Sequence, residues 1–169
     1  MKALNQRLAA GHHDAFAEWY DAIANAVYHY LLVQTNSSHD AADIMQNTFV
    51  RLYKHRSGLK TVTNLQAYTF RMARNEWLRW KDTQPSNDTT LEPWFEPIAA
   101  NDSAGEDRIA DVQSALTMLD DRYREVIELK VFARLTFAEI ADVMQAPAGT
   151  VATWYRRAVL ELKKRLSHP

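Results

Sequence analysis

The sequence predicts an all-α protein built as two small helical domains joined by an acidic linker. Three observations carry this prediction. Apolar residues return at three- and four-residue steps on both sides of the chain's middle, and nowhere does a strand-like alternation hold. Glycine and proline number only four and five, too few for the turns of a β-sandwich. Between the periodic flanks, residues 83–107 contain three prolines and no cation, and no helical period survives there. The resulting division is 1–82, a linker over 83–107, and 108–169.

The first flank reads as three helices, with a weaker one over Lys2–Ala10. Phe16, Trp19, Tyr20, Ile23, Val27, Tyr30 and Leu31 give Asp14–Gln34 a wide apolar face. Asn36-Ser37-Ser38 ends that helix and caps the next, which spans His39–Arg56 with Ile44, Met45, Phe49, Leu52 and Tyr53 on one side. Ser57-Gly58 stops it and a short loop runs to Thr63. The third helix, Asn64–Asp82, has Leu65, Tyr68, Met72, Ala73, Trp77 and Trp80 as its stripe. Trp77 and Trp80 have ring faces that stack on bases, but their spacing favours the core. The linker's Trp94-Phe95 pair needs something to pack on. The second flank reads as helices over Ser103–Leu119, Asp121–Ala133, Thr136–Met144 and Ala148–Leu166, with Thr136-Phe137-Ala138-Glu139 as a capping box.

Composition removes several classes. At 47% apolar and 24% charged residues the chain is not a disordered one. With no cysteine there are no disulfides, thiolate metal sites or cysteine nucleophiles. No stretch of 18 uncharged apolar residues occurs and the N-terminus lacks a signal peptide's apolar core, so a cytoplasmic protein without membrane insertion is expected. The net charge of −1 divides into +3 over 1–82, −6 over 83–107 and +2 over 108–169. Arg51–Lys81 holds eight cations against Glu76 alone, and the last 25 residues hold five against Glu161. The pattern suits two surfaces for a polyanion, or two solvated helix faces.

Residues 137–157 have the layout of a helix-turn-helix. Ala141 is small at the helix crossing, Ile140, Met144, Val151 and Tyr155 supply a shared core, and Pro147 precedes a helix opened by Gly149-Thr150-Val151. Thr150, Thr153, Arg156 and Arg157 then point outward, where arginines reach phosphates or guanine edges in a major groove. A plain helical hairpin has the same pattern.

Thr136–Met144, with Gly149-Thr150-Val151 and Arg156-Arg157-Ala158, resembles region 4 of bacterial RNA polymerase sigma factors, sigma-70 family, extracytoplasmic-function (ECF) group. Asp40–Tyr53 resembles region 2.2 of that family, and Asn64–Asn75 resembles regions 2.3 and 2.4. The three lie in the family's order and span about 12–166. The resemblance implies a sigma factor rather than an enzyme, without cofactor or metal. Its implied partners are core RNA polymerase, through the β′ clamp helices and the β flap, promoter DNA, and an anti-sigma factor. It places Asp43, Gln46, Asn47 and Phe49 on the polymerase, with Asn47 standing where the family has an acidic residue. It places Leu59, Lys60, Asn64, Arg71, Arg74, Asn75 and Arg79 at the −10 element, where one unstacked base is captured. It places Lys130, Thr150, Thr153, Arg156 and Arg157 at the −35 element. Ala152 and Trp154 stand where the family has cations, which predicts weak −35 binding, and Gln145 replaces a turn glycine. Phe49's spacing suits core packing equally. The linker's −6 charge suits mimicry of RNA in a basic channel or a solvated spacer.

Two other readings stay open: a sigma-like decoy that sequesters an anti-sigma factor, and a polymerase-independent helix-turn-helix regulator. An enzyme is disfavoured. His12-His13-Asp14 is the one histidine cluster, and it lacks the spacing of a helical zinc pair.

Overall fold

A computed structural model describes residues 2–85, 111–112 and 114–167. All regular structure among them is helical. The elements are α1 (Lys2–Ala9), α2 (His13–Thr35), α3 (Ser38–Lys54), a 3-10 turn (Arg56–Thr61) and α4 (Leu65–Thr83). After helical residues at 111–112 and 114–117 come α5 (Asp121–Ile127), a π-helical turn (Glu128–Phe132), α6 (Phe137–Met144) and α7 (Ala148–Leu166).

The helix ends follow the expected cap chemistry. Asn36 closes α2 in the left-handed conformation, φ 51°. Ser37 Oγ then accepts the Asp40 amide at 3.2 Å to open α3. Asn64 Oδ1 accepts the Ala67 amide at 2.9 Å at the start of α4. In α6 the box is complete: the Glu139 amide donates to Thr136 Oγ1 and the Thr136 amide donates to Glu139 Oε2. Gln145 ends α6 at φ 53°, the position where a glycine carries no Cβ penalty.

Two expectations need correction. The predicted loop after α3 is a 3-10 turn, because Leu59 is fully buried and draws the segment against Leu8, Leu52 and Leu65. The predicted helix 121–133 is α-helical only to Ile127. The Ala133 amide then donates back to Glu128 O, the Leu135 amide to Leu129 O, and Arg134 turns the chain at φ 55°. The Trp94-Phe95 pair and most of the acidic linker lie outside the described residues.

The two flanks share one core. Ile23, Val27 and Leu31 of α2, Ile44 of α3 and Phe70, Ala73 and Trp77 of α4 are continuous with Val126, Leu129, Ile140, Val143 and Val151 from the C-terminal half. Trp77 is 5% exposed, so the core reading of its ring holds. A smaller cluster of Leu8, Ala15, Leu52, Leu59, Leu65 and Met72 fastens α1 and the 3-10 turn beneath α3 and α4.

Gln145→Gly removes the Cβ penalty of the left-handed turn while loosening the unfolded chain, so stability rises by about 0.5 kcal/mol. Gln145→Val places a β-branched residue there and lowers stability by about 1–2 kcal/mol. Urea midpoints of the two variants should move in opposite directions.

Candidate nucleic-acid interface

The cationic stripe of the sequence runs from the last turn of α3 through the 3-10 turn to α4, but most of its charges are already paired. Arg74 Nε donates to Glu125 Oε1 at 2.7 Å and Nη2 reaches Oε2 at 3.4 Å. Arg71 Nη1 meets Asp142 Oδ1 at 3.3 Å, and Lys81 Nζ lies 3.6 Å from Asp121 Oδ2. Arg51 and Arg79 both bind Glu76 Oε1 at 2.6 Å, tying α3 to α4. Lys54, Arg56 and Lys60 meet no carboxylate among the described residues; Arg56 lies over the Tyr53 ring instead.

Glu125 is the centre of this surface. It is 2% exposed and takes a third hydrogen bond, at 2.7 Å, from the Tyr30 hydroxyl. A buried carboxylate is tolerable only when charge and hydrogen bonds replace its water. Burial pulls Arg74 down while the charge and hydrogen bond of Glu125 push it up, and the net effect holds it above its ordinary range. Tyr30 is held well above 10, first by burial and then by the Glu125 charge. Near this triad His29 Nδ1 faces the buried Glu128 Oε2 at 3.3 Å, and the His29 ring lies against Phe132 at a 31° tilt, with centroids 4.7 Å apart.

The expected −10 residues separate into three groups. Asn64 caps α4 and donates from Nδ2 to Glu139 Oε1 at 2.5 Å; with Arg71 it lines a pocket of about 520 Å³ shared with Thr61, Tyr68, Glu139 and Asp142. Lys60 and Arg79 are exposed, and Asn75 is half-buried on α4. Leu59 is a correction: it is fully buried in the smaller core and offers no surface to a base. Gln66, absent from the expected set, donates to Ala133 O at 2.7 Å.

On α3, Asp43, Gln46 and Asn47 are exposed side by side, with Asp43 3.4 Å from His39. Phe49 is half-buried, edge-on to Tyr20 with ring centroids 4.8 Å apart, so it serves packing and surface together. It borders an apolar groove of about 500 Å³ between α2 and α3, where Phe16, Tyr20, Val50 and Tyr53 join it. Val50 and Tyr20 are 46% and 42% exposed. The sequence signal for this groove was an apolar stripe wider than one buried face requires.

On α7, Arg156 and Arg157 are exposed and Thr150 and Thr153 half-buried, with Thr153 Oγ1 donating to Gly149 O at 2.9 Å. Trp154 packs against the main core, with the Arg122 guanidinium 5.6 Å over its ring. Lys130 donates to Leu135 O at 3.2 Å and lies over Phe137. Among the described residues no helix is long and apolar enough to cross a membrane.

Comparison with known proteins gives matches over both halves. The family model "Sigma-70 region 2" matches residues 15–86 and "Sigma-70, region 4" matches 109–162. The chain is 26% identical over 175 residues to the ECF RNA polymerase sigma factor SigW of Bacillus subtilis, covering 95% of this chain and 94% of that one. It is 29% identical over 177 residues to the ECF RNA polymerase sigma factor BldN of Streptomyces coelicolor, covering 98% and 66%. In fold it is similar to CnrH in complex with the cytosolic domain of CnrY, with a TM-score of 0.75, 22% identity and 98% and 96% coverage. It is likewise similar in fold to the sigma factor RpoE in complex with the anti-sigma factor NepR from Bartonella quintana, with a TM-score of 0.70, 22% identity and 90% and 97% coverage.

The Tyr30 triad makes a pH prediction. The folded state holds the Tyr30 proton above the pH at which the unfolded chain releases it, near 10. Stability from this group is therefore full below about pH 10 and declines as pH rises beyond it. Urea unfolding of Tyr30→Phe between pH 8 and 11 should show a shallower alkaline decline than the parent, and a lower stability at pH 8 by about 1–3 kcal/mol.

Proposed function

Because the chain belongs to the sigma-70 family of RNA polymerase sigma factors, in its ECF group, we propose a specific division of labour over its surface. The α3 face, with Asp43, Gln46, Asn47, Phe49 and the apolar groove beside it, binds core RNA polymerase at the β′ clamp helices. The α4 face binds the −10 element, with Asn64, Arg71, Arg74 and Asn75 toward the strand and Lys60 and Arg79 along the backbone. The α7 helix approaches the −35 element with Thr150, Thr153, Arg156 and Arg157, and the C-terminal half meets the β flap. An anti-sigma factor regulates the chain. The protein works in the cytoplasm and is not an enzyme; it lends promoter choice and strand opening to the polymerase. The observation that carries the reading is the occurrence, in one chain and in order, of both family regions.

The physical logic is differential binding. Unstacking a base costs a few kcal/mol, and a protein that holds single strands better than duplex offsets that cost. An asparagine such as Asn75 supplies a donor and an acceptor to a base edge, while arginines hold phosphate.

One observation favours a second reading. Residues 148–155, the first two turns of α7, carry no cation of their own, and Trp154 lies against the core. A decoy that sequesters an anti-sigma factor would need no more. The two readings part in run-off transcription.

Purified chain added to core polymerase should yield transcripts from a library of promoter sequences; none would favour the decoy. Asp43→Ala with Gln46→Ala, both on the exposed face, should weaken core binding about tenfold with an unchanged unfolding midpoint. Arg156→Ala should flatten the salt dependence of promoter binding by roughly one, uniformly across sequences, if its role is phosphate contact.

A further inference from the structure

The short helix α1 packs chiefly against the 3-10 turn Arg56–Thr61, a segment distant from it in the chain. Its 8 residues are too few to hold a helix in water, so α1 exists by what it touches. Leu8 and Leu59 are both fully buried, in one cluster with Leu65, the first residue of α4. Asn5 Nδ2 donates to Val62 O at 2.8 Å, at the close of the turn. Gly11, left-handed at φ 83°, lies against Arg56 at the start of the turn, where a Cβ would stand 3.0 Å from Arg56 Nε. Arg56 itself donates to Tyr53 O at 3.1 Å and covers the Tyr53 ring. α1 is in turn anchored to α2, where Arg7 bridges Asp14 at 2.5 Å and Glu18 at 3.0 Å.

Asn5 is the informative member of this set. It is 5% exposed, and its Oδ1 is buried with no hydrogen-bond partner among the described residues. For packing alone an apolar side chain would serve better, since a buried acceptor without a partner costs stability. What the asparagine supplies, and an apolar side chain cannot, is a fixed position for the Val62 carbonyl.

The turn so held leads into Asn64 and α4, and Gly58, Thr61, Val62 and Thr63 line the pocket beside Asn64 and Arg71. A segment that closes on one unstacked base chooses among bases only if its own shape is set beforehand. Hydrogen bonds to a base edge form over about 2.7–3.2 Å, so a turn free to shift by about an ångström would accept several bases or none.

We propose that α1 is a brace for strand capture, with Asn5 as a positioning residue: its grip on Val62 O, together with Leu8 against Leu59, sets the shape of the turn and thereby the choice of base in the −10 element. The inference rests on the reading that α4 and the turn before it take the −10 strand. It adds a determinant of base choice that sits on another helix and, being buried, touches no DNA.

The test sets Asn5→Leu beside Ile23→Val. The first removes the donor at nearly constant size. The second trims the main core away from the turn and shows the effect of lost stability alone. Asn5→Ala, too short to reach Val62 O, is made as well, so that a disturbed packing around leucine is not mistaken for the effect. Unfolding midpoints are measured for all three. Hydrogen exchange in the full chain reports the turn through the amides of Gly58 and Val62, which donate to His55 O and Leu59 O. Run-off transcription with core polymerase, from a promoter library randomised over the −10 element, reports base preference.

Both Asn5 variants should exchange those two amides about fivefold faster, or more, than Ile23→Val. Both should also narrow the ratio between the best and worst base at a −10 position by about threefold or more, with preference in the −35 element kept. A role confined to stability lowers output evenly across the library and keeps base preference; that result overturns the proposal. Exchange equal to that of Ile23→Val overturns it too, as does faster exchange with unchanged preference. Transcripts from the unaltered chain, with its preference shared by the Asn5 variants, leave the sigma-factor reading standing without the brace. No transcripts from the unaltered chain remove that reading, and the brace falls with it.

Discussion

A carboxylate at 2% exposure cannot be left to itself, and the arrangement of the whole molecule follows from how Glu125 is satisfied. Its two oxygens take Tyr30 from α2 and Arg74 from α4, residues 95 and 51 positions away in the chain. Moving such a group from water costs several kcal/mol unless partners sit in the right place, so the three helices are held to one register. Apolar packing of Val126 and Leu129 on Phe70 and Val27 supplies the attraction but little direction. The triad supplies the direction. The asymmetry of buried pairs applies here: taking away Arg74 alone strands a charge, and the cost of that exceeds anything the pair contributes when intact.

The helices themselves were legible in the sequence because their signals are local. The stripe from Phe16 to Leu31, the cap at Ser37 and the box at Thr136–Glu139 each depend on residues within one or two turns, and each appears in place. The turn at Gln145 was legible as a missing glycine. The π-turn was not. Glu128-Leu129-Lys130-Val131-Phe132 has ordinary helical composition, and the extra residue in the turn is imposed by the close that Leu135 and Arg134 make on Leu129. Leu59 was misplaced for a related reason: between Ser57-Gly58 and Thr63 a lone leucine looks like a loop residue, and only the cavity among Leu8, Leu52 and Leu65 gives it a home.

The polar surface was legible in composition and not in state. Counting along the chain finds eight cations near one acid between Arg51 and Lys81. In three dimensions Arg71, Arg74 and Lys81 meet carboxylates from the other half. Charges separated by dozens of residues leave no periodic trace, so a sequence tally overstates the positive potential of this face. The sequence did carry one hint: Glu125 and Glu128 stand among Val126, Ile127 and Leu129, an unusual neighbourhood for solvated acids. The same reasoning applies to the groove at Phe16, Tyr20 and Tyr53, where each residue reads as core in the sequence but the structure buries only part of the stripe.

Glu76 has a mechanical consequence. Its carboxylate, with only 10% of the side chain exposed, is gripped at one oxygen by Arg51 of α3 and by Arg79 of its own helix. Both contacts are at 2.6 Å, and together they brace the two helices like a cross-member. A load applied to the outer side of α3 is thereby delivered to α4 as displacement of a stiff frame and is not absorbed by bending between them. Whatever grasps the first helix steers the second.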